Sequence, residues 1–214
     1  MRTAILLSVA VAGFLRSAVV IDRVAVVVDK HVIKESDMQR DLRLTEFLNK
    51  QMLNLTPEAK RKSAERLIGQ TILRDEIEGG GYRWAAESEA KAMVDRLRKD
   101  RFGGSDAALR TALARYGLDE SELESQFLWQ LTVLRFIDQR FRDGALVSDE
   151  DVRNYYDHSI AQLKRENPSD STFATLAPKI RQTIEGERVN QNFEEAMKRA
   201  RQRRQIRYVK GAFE

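Results

Sequence analysis

Proline and glycine are scarce in this chain, and this scarcity is the feature that most constrains its fold. Only three prolines and 11 glycines occur in 214 residues. Proline interrupts regular structure by removing an amide donor, and glycine does so through its backbone freedom. Between these breaks, apolar residues recur at helical spacing behind Ser, Thr and Asp caps. The sequence therefore predicts a mainly α fold of long, uninterrupted helices.

The predicted helices follow one another with short breaks. Thr56-Pro57 provides a cap followed by proline at the first helical position, and the Gly79–Gly81 run ends that helix. We expect helices over about 36–53, 56–79, 87–101, 105–116, 119–142, 148–156 and 173–203. Pro178 is expected to kink the last helix or to mark its true start. The polar stretch 157–172 predicts a loop.

Two short stretches have the character of strands. The β-branched run Val24–Val28 precedes an Asp29-Lys30 turn and the segment 31–33, which predicts a hairpin. Residues 205–209 alternate polar and apolar side chains, as an edge strand does. Because two strands alone are marginally stable, we expect the C-terminal strand to join the N-terminal hairpin. The chain would then form one domain over 19–214, with 19–156 and 173–214 packed together.

The N-terminus carries the pattern of an export signal. Arg2 is followed by an apolar run from Ala4 to Leu15, which is too short to span a bilayer as a helix. Cleavage is expected after Ala18, although Arg16 stands where a small residue is usual. An uncleaved anchor and a buried strand are the alternatives. A signal peptide over 1–18 predicts an exported, periplasm-like location, and after its cleavage we expect no stable membrane insertion.

The composition argues against catalysis. The chain has no cysteine, which excludes disulfides, thiolate metal sites and cysteine nucleophiles. Its two histidines, His31 and His158, are far apart in sequence. No nucleotide-binding, serine-hydrolase or metal-ligand motif occurs, and the acidic clusters stand at helix starts, where capping and the helix dipole favour them. We therefore expect no catalytic residue, no metal and no cofactor.

Helix 119–142 holds the best candidate for a binding surface. One apolar stripe contains Leu123, Phe127, Leu131, Leu134, Ile137 and Phe141, and a second contains Trp129, Val133 and Phe136. Two apolar sides are typical of a helix central to the core. The functional alternative is that the second stripe lines a groove for apolar client segments. Tyr82 and Trp84 after the triple glycine, and Phe102 before Gly103, are further aromatic candidates for client contact, with packing under a loop as the alternative.

The C-terminus is rich in basic residues, from Lys198 to Lys210. Such a stripe can bind phosphates of nucleic acid or lipid. The helix dipole favours cations at a helix C-terminus, and Phe193, Met197 and Ala200 provide an apolar face for docking. Export would also separate the protein from most nucleic acid. We expect no nucleic-acid partner.

The order of several motifs resembles SurA-like periplasmic chaperones. They are Val24–Asp29, Val32-Ile33, Ser36-Asp37, Arg66–Gln70 with Leu73, Leu118–Glu120, Val147–Val152 with Tyr155-Tyr156, and Ile206–Tyr208. The resemblance covers 19–214. It implies a chaperone that holds unfolded outer-membrane proteins, and the absence of a nucleotide-binding motif predicts that it works without ATP. Many relatives insert a parvulin prolyl isomerase domain before the C-terminal helix, but 157–172 is too short for one, since a domain needs about 50 residues or more.

The expected function is therefore the binding of unfolded or extended polypeptides through an apolar groove, without enzymatic activity. Two alternatives stay open. The first is a protein related to prolyl cis/trans isomerases, and the second is an exported assembly or adaptor subunit that binds one folded partner.

Overall fold

A computed structural model describes residues 22–166 and 172–213 of the chain. Within these ranges the chain forms seven helices and three strands. The strands are β1 (Val24–Val28), β2 (His31–Lys34) and β3 (Ile206–Tyr208), and the helices are α1 (Glu35–Asn49), α2 (Pro57–Gly79), α3 (Glu87–Phe102), α4 (Asp106–Ala114), α5 (Glu120–Phe141), α6 (Asp149–Glu166) and α7 (Phe173–Gln202). The mainly helical fold class is confirmed. The predicted signal peptide, 1–18, lies outside the described residues.

The two ends of the described chain meet in one small antiparallel sheet. Its strand order is β2-β1-β3, so the N-terminal strand lies in the middle and the C-terminal strand pairs with its free edge. Asp29 occupies the hairpin turn with a left-handed φ of 49°, a conformation that Asp tolerates better than most residues. The Asp29 carboxylate also accepts a hydrogen bond from the Gln205 N–H at 2.8 Å. The predicted joining of the C-terminal strand to the hairpin is confirmed.

Four groups of buried apolar residues form the interior. The first core cluster joins the sheet to α2 and the end of α7, around Val26, Ile68 and Ala200. The second joins α1, α3, α4 and α5, around Leu109 and Leu123. The aromatic cluster joins α2, α5 and α7. The fourth cluster joins α6 to the first half of α7.

Two sequence expectations differ from the structure. The helix expected over about 36–53 is shorter, since α1 begins at Glu35 and ends at Asn49. Lys34 is its N-cap residue, the Lys34 N–H donates to the Asp37 carboxylate at 2.9 Å, and the Ser36 hydroxyl donates to Asp22 instead of capping the helix. The predicted loop over 157–172 is wrong for its first part, because α6 continues to Glu166. Val152 and Tyr156 in the first half of this helix pack on α7, and the helix continues from there through the polar residues that follow.

Several basic residues at the end of α7 and just after it are engaged in ion pairs. Arg201 pairs with Glu65 of α2 at 2.8 Å. Arg204 pairs with Asp29 of the hairpin turn at 3.2 Å and with Asp75 of α2 at 3.1 Å. These contacts fix the end of α7 to α2 and to the sheet, which supports the structural explanation for the basic C-terminus.

Asp151 connects the start of α6 to α7. Its carboxylate accepts hydrogen bonds from Arg188 and from the N–H and hydroxyl of Ser148, each at 2.8 Å. The Arg188 hydrogen bond, followed by those from Ser148, lowers the pKa of Asp151 to about 2. An unfolded aspartate has a pKa of about 3.9, so the charged form stabilises the fold above that pH and loses its effect as the pH falls towards 2.

We expect Asp151→Asn to lower the melting temperature at pH 6, because the amide cannot replace the charged partner of Arg188. The difference from the unsubstituted protein should shrink as the pH falls from about 4 to about 2. Thermal melts followed by circular dichroism across this range measure it. Glu150→Gln, one residue away and exposed, is the matched control and should show no such trend. A difference in melting temperature that stays constant down to pH 2 would contradict the stabilising role of the Asp151 charge.

Candidate functional site

Helix α5 carries three of the six predicted site residues and contributes to both the second core cluster and the aromatic cluster. Asp119 caps it by accepting a hydrogen bond from the Glu122 N–H, and the Glu122 carboxylate accepts one from the Asp119 N–H in return. Thr132, fully buried in the middle of the helix, accepts a hydrogen bond from the Ala85 N–H at 3.0 Å. This bond ties the connection between α2 and α3 to α5. The connection therefore brings Tyr82 and Trp84 against the same helix.

Five of the six predicted client-contact residues come together in the aromatic cluster. Its members are Tyr82, Trp84, Trp129, Val133 and Phe136, with Leu73, Ile77, Phe141 and the α7 residues Val189 and Phe193 around them. The Phe136 ring meets Tyr82 edge-on at 4.8 Å, and the Phe141 ring meets Phe193 at 5.7 Å. Phe136 is 2% exposed and Trp129 is 7% exposed. These two side chains therefore serve as packing residues between α5, α2 and α7, and their client contact stays a prediction.

Trp129 differs from Phe136 because part of it borders a cleft. Its indole lies 5.9 Å from that of Trp84, and Arg74 of α2 stacks over both rings, at 5.1 Å from Trp84 and 4.8 Å from Trp129. A guanidinium held over aromatic faces keeps its N–H edges free for other acceptors. In the described part of the chain Arg74 has no carboxylate partner.

The cleft has a volume of about 590 Å³ and separates β2, α1 and α2 from the first half of α5. Its apolar lining comes from Val32, Leu44, Leu67 and Trp129. Leu67 packs on the first core cluster, Leu44 belongs to the second and Trp129 to the aromatic cluster. The cleft is thus the place where three packed cores meet. Val32 is 47% exposed, so an apolar side chain is already presented to solvent here.

The charged residues of the cleft are mostly engaged with one another or with the backbone. Arg40 donates to Glu122 across the cleft at 3.0 Å, and Asp41 accepts from Arg66 and from Ser63. Hydrogen bonds from Ser121 and from the Glu122 N–H lower the pKa of Asp119, so this carboxyl stays ionised at neutral pH. The cleft therefore combines an apolar lining with a polar rim, in which Arg74 is not ion-paired.

Further hollows lie elsewhere on the described surface, among them one beside the C-terminal tail and one beside Phe102. The larger, about 890 Å³, lies between the first turns of α2 and the tail after β3, and Tyr208, Val209 and Phe213 contribute to it. The smaller, about 400 Å³, lies between α3 and α4 beside Phe102. Phe102, the sixth predicted contact residue, thus packs on the second core cluster and lies apart from the other five.

Sequence reasoning missed the residues that give the cleft its character. Val32, Gln70, Arg74 and Gln126 belong to three different elements, β2, α2 and α5. No spacing pattern within one helix or strand relates them. Only the tertiary packing of α5 against α2 brings them to one place. The hydrogen bond of Thr132 to the Ala85 N–H could not be predicted either, because a single polar residue beside an apolar stripe forms no recognisable motif.

No family model matches the chain. Two curated proteins are similar to it, both named Chaperone SurA. The one from Pseudomonas aeruginosa is 28% identical over 147 residues, which are 67% of this chain and 35% of that protein. The one from Chromobacterium violaceum is 21% identical over 176 residues, which are 80% of this chain and 39% of that protein. The chain is SurA-like. It spans little more than a third of the length of these SurA relatives.

The connection between α6 and α7 leaves no room for an inserted domain like those of many SurA-like proteins. Only 167–172 separate the two helices, whereas an independent domain needs about 50 residues or more. Among the described residues, no group of His, Asp and Glu is arranged to hold a metal ion. No helix in that part of the chain is long and apolar enough to cross a membrane.

The burial of Phe136 gives a direct test of its packing role. We expect Phe136→Ala to lower the free energy of unfolding by about 3–5 kcal/mol, because it leaves a cavity against Tyr82 and Phe141. Leu134→Ala on the same helix is the matched control, since Leu134 is 63% exposed, and should change stability by less than about 0.5 kcal/mol. Urea unfolding followed by circular dichroism measures both. Similar losses for the two variants would contradict the packing described for α5.

Proposed function

We propose that this protein is an ATP-independent periplasmic chaperone that holds unfolded or extended polypeptides in the cleft between α2 and α5. The observation that carries the proposal is the cleft itself, in which Val32, Leu67 and Trp129 form an apolar lining at the junction of three packed cores. Such a lining buries apolar client side chains, and burial of apolar surface drives association without any cofactor. The SurA relatives support the chaperone class.

The polar rim suits a transient holder better than a tight binder. A cleft that mixes apolar and ionised groups buries only short apolar stretches, so affinity per client segment stays low and strict sequence preference is absent. Weak binding allows release without ATP. Unfolded outer-membrane proteins are the client class that the SurA resemblance favours, because their strands alternate apolar and polar residues.

We expect the purified protein to suppress the aggregation of a urea-unfolded outer-membrane β-barrel after dilution, and Val32→Asp to reduce this effect at least severalfold. A charge in the cleft opposes the burial of apolar client side chains. Light scattering at a range of chaperone-to-client ratios measures the effect. Failure of the unsubstituted protein across all ratios would refute the chaperone function.

Val209→Asp is the matched control for the location of the site. Val209 follows β3 and is 36% exposed, so it is an exposed valine next to the same sheet as Val32. It borders the larger hollow instead of the cleft. The proposal requires Val209→Asp to suppress aggregation as the unsubstituted protein does. If Val209→Asp loses activity and Val32→Asp keeps it, the clients bind in the hollow beside the C-terminal tail.

The periplasmic location rests on the N-terminal apolar run and has its own test. We expect osmotic shock of an expressing Gram-negative host to release the protein, and Leu6→Arg combined with Leu7→Arg to keep it in the cytoplasm, because charges disrupt the apolar part of an export signal. Immunoblots of the fractions measure both. Equal release of the two forms would contradict export through this segment.

A further inference from the structure

Besides the short, exposed Ser125, three polar side chains in the cleft have no hydrogen-bonding or ion-pair partner in the part of the chain that the structure describes. They are Gln70 and Arg74 on α2 and Gln126 on α5. Gln70 and Gln126 are half-buried, whereas the neighbouring Asp37, Asp41, Asp119 and Glu122 all have partners. The amide atoms of both glutamines are in contact with water, so they are free to bind a polar group that enters the cleft.

The three side chains stand on two facing walls. Gln70 and Arg74 are four residues apart on α2 and therefore share one face of that helix. Gln126 precedes Trp129 by three residues on α5, which places both on the face that borders the cleft. An amide offers two N–H donors and one acceptor oxygen, and a guanidinium offers donors along its edge. Together they match the alternating N–H and C=O groups of an extended main chain.

The charge of the cleft decides between a main chain and an acidic side chain as the bound group. The four carboxylates of the lining outnumber its two guanidinium groups, those of Arg40 and Arg74. A client carboxylate entering the cleft would therefore meet like charge. A peptide carbonyl carries no net charge and accepts the same N–H donors, so it does not suffer this repulsion.

We infer that Gln70, Arg74 and Gln126 bind the main chain of an extended client segment, while Val32, Leu67 and Trp129 contact its apolar side chains. The inference rests on the proposed chaperone function and specifies what the cleft recognises. Main-chain contacts are the same for every client sequence, so they provide affinity without selecting a sequence. Arg74 remains stacked on the two indole rings as it donates, which limits the rotamer freedom lost on binding.

The test measures the binding of a fluorescein-labelled peptide of about ten residues. Val or Phe alternates with Ser or Thr along the peptide, both ends are blocked, and only the dye carries charge. Gln70→Leu and Gln126→Leu preserve side-chain size and remove the hydrogen-bonding groups, and Arg74→Met does the same for the guanidinium. We expect each change to weaken binding about three- to tenfold, as loss of a partner for a peptide group does. Fluorescence anisotropy provides the dissociation constants.

The direction of the change separates main-chain binding from purely apolar binding. In a groove that binds side chains alone, Gln→Leu adds apolar surface and tightens binding, which would overturn the inference. Gln130→Leu, exposed on α5 and outside the cleft lining, is the matched control and should leave affinity unchanged. Circular dichroism melts establish that the variants remain folded.

A second probe tests the same contacts from the peptide side. Replacing alternate amides of the peptide by esters removes N–H donors and weakens carbonyl acceptors while preserving the side chains. We expect the ester peptide to bind the unsubstituted protein about tenfold more weakly, and to lose little further affinity with the Gln70→Leu and Gln126→Leu variants. Equal binding of both peptides would overturn the inference. Absence of peptide binding together with absence of aggregation suppression would instead refute the proposed function.

Discussion

The packing of α7 along the rest of the molecule is the interaction on which the other features depend. This helix of 30 residues is about 45 Å long and contributes to three of the four core clusters. Ile180 packs against α6, Phe193 against the aromatic cluster and Ala200 against the sheet and α2. β3 follows the end of α7 and pairs with β1, so that the last strand of the described chain joins the first. A chain without cysteine is thus held together by burial along one helix.

The packing of α7 supports two of the three walls of the cleft, those of the first core cluster and of the aromatic cluster. The walls come from the first core cluster through Leu67, from the second through Leu44 and from the aromatic cluster through Trp129. Each wall is therefore supported from behind by its own buried residues, and no wall depends on client binding for its position. The Arg40–Glu122 pair spans the cleft at 3.0 Å, but both side chains are partly exposed, and such a pair adds only about 0–1 kcal/mol. Core packing, not this ion pair, holds the cleft open.

The elements of this fold could be predicted from the sequence because local signals mark them. Thr56, Ser105 and Asp119 cap the helices where expected, and the strand pattern at Ile206–Tyr208 pairs with β1. The end of α6 could not be predicted, because the mostly polar residues that follow Tyr156 are typical of a loop. The candidate site was predicted in part: Trp129 borders the cleft, but Gln70, Arg74 and Gln126 face it only through tertiary packing. Residues on separate elements carry no common spacing.

The magnitudes of the interactions separate the residues that hold the fold from those free to meet a client. Removing a buried ring such as Phe136 costs several kcal/mol, a large part of the stability of a domain. An exposed stacking contact of the kind that Arg74 makes with Trp129 contributes only about 0.5–1 kcal/mol. Under the proposed function, client exchange at Arg74 would therefore disturb little of the folding free energy, whereas exposing Phe136 to a client would disrupt the packing of α5 on α7. A chaperone that releases clients without ATP needs this separation, because client binding and release must not unfold its own core.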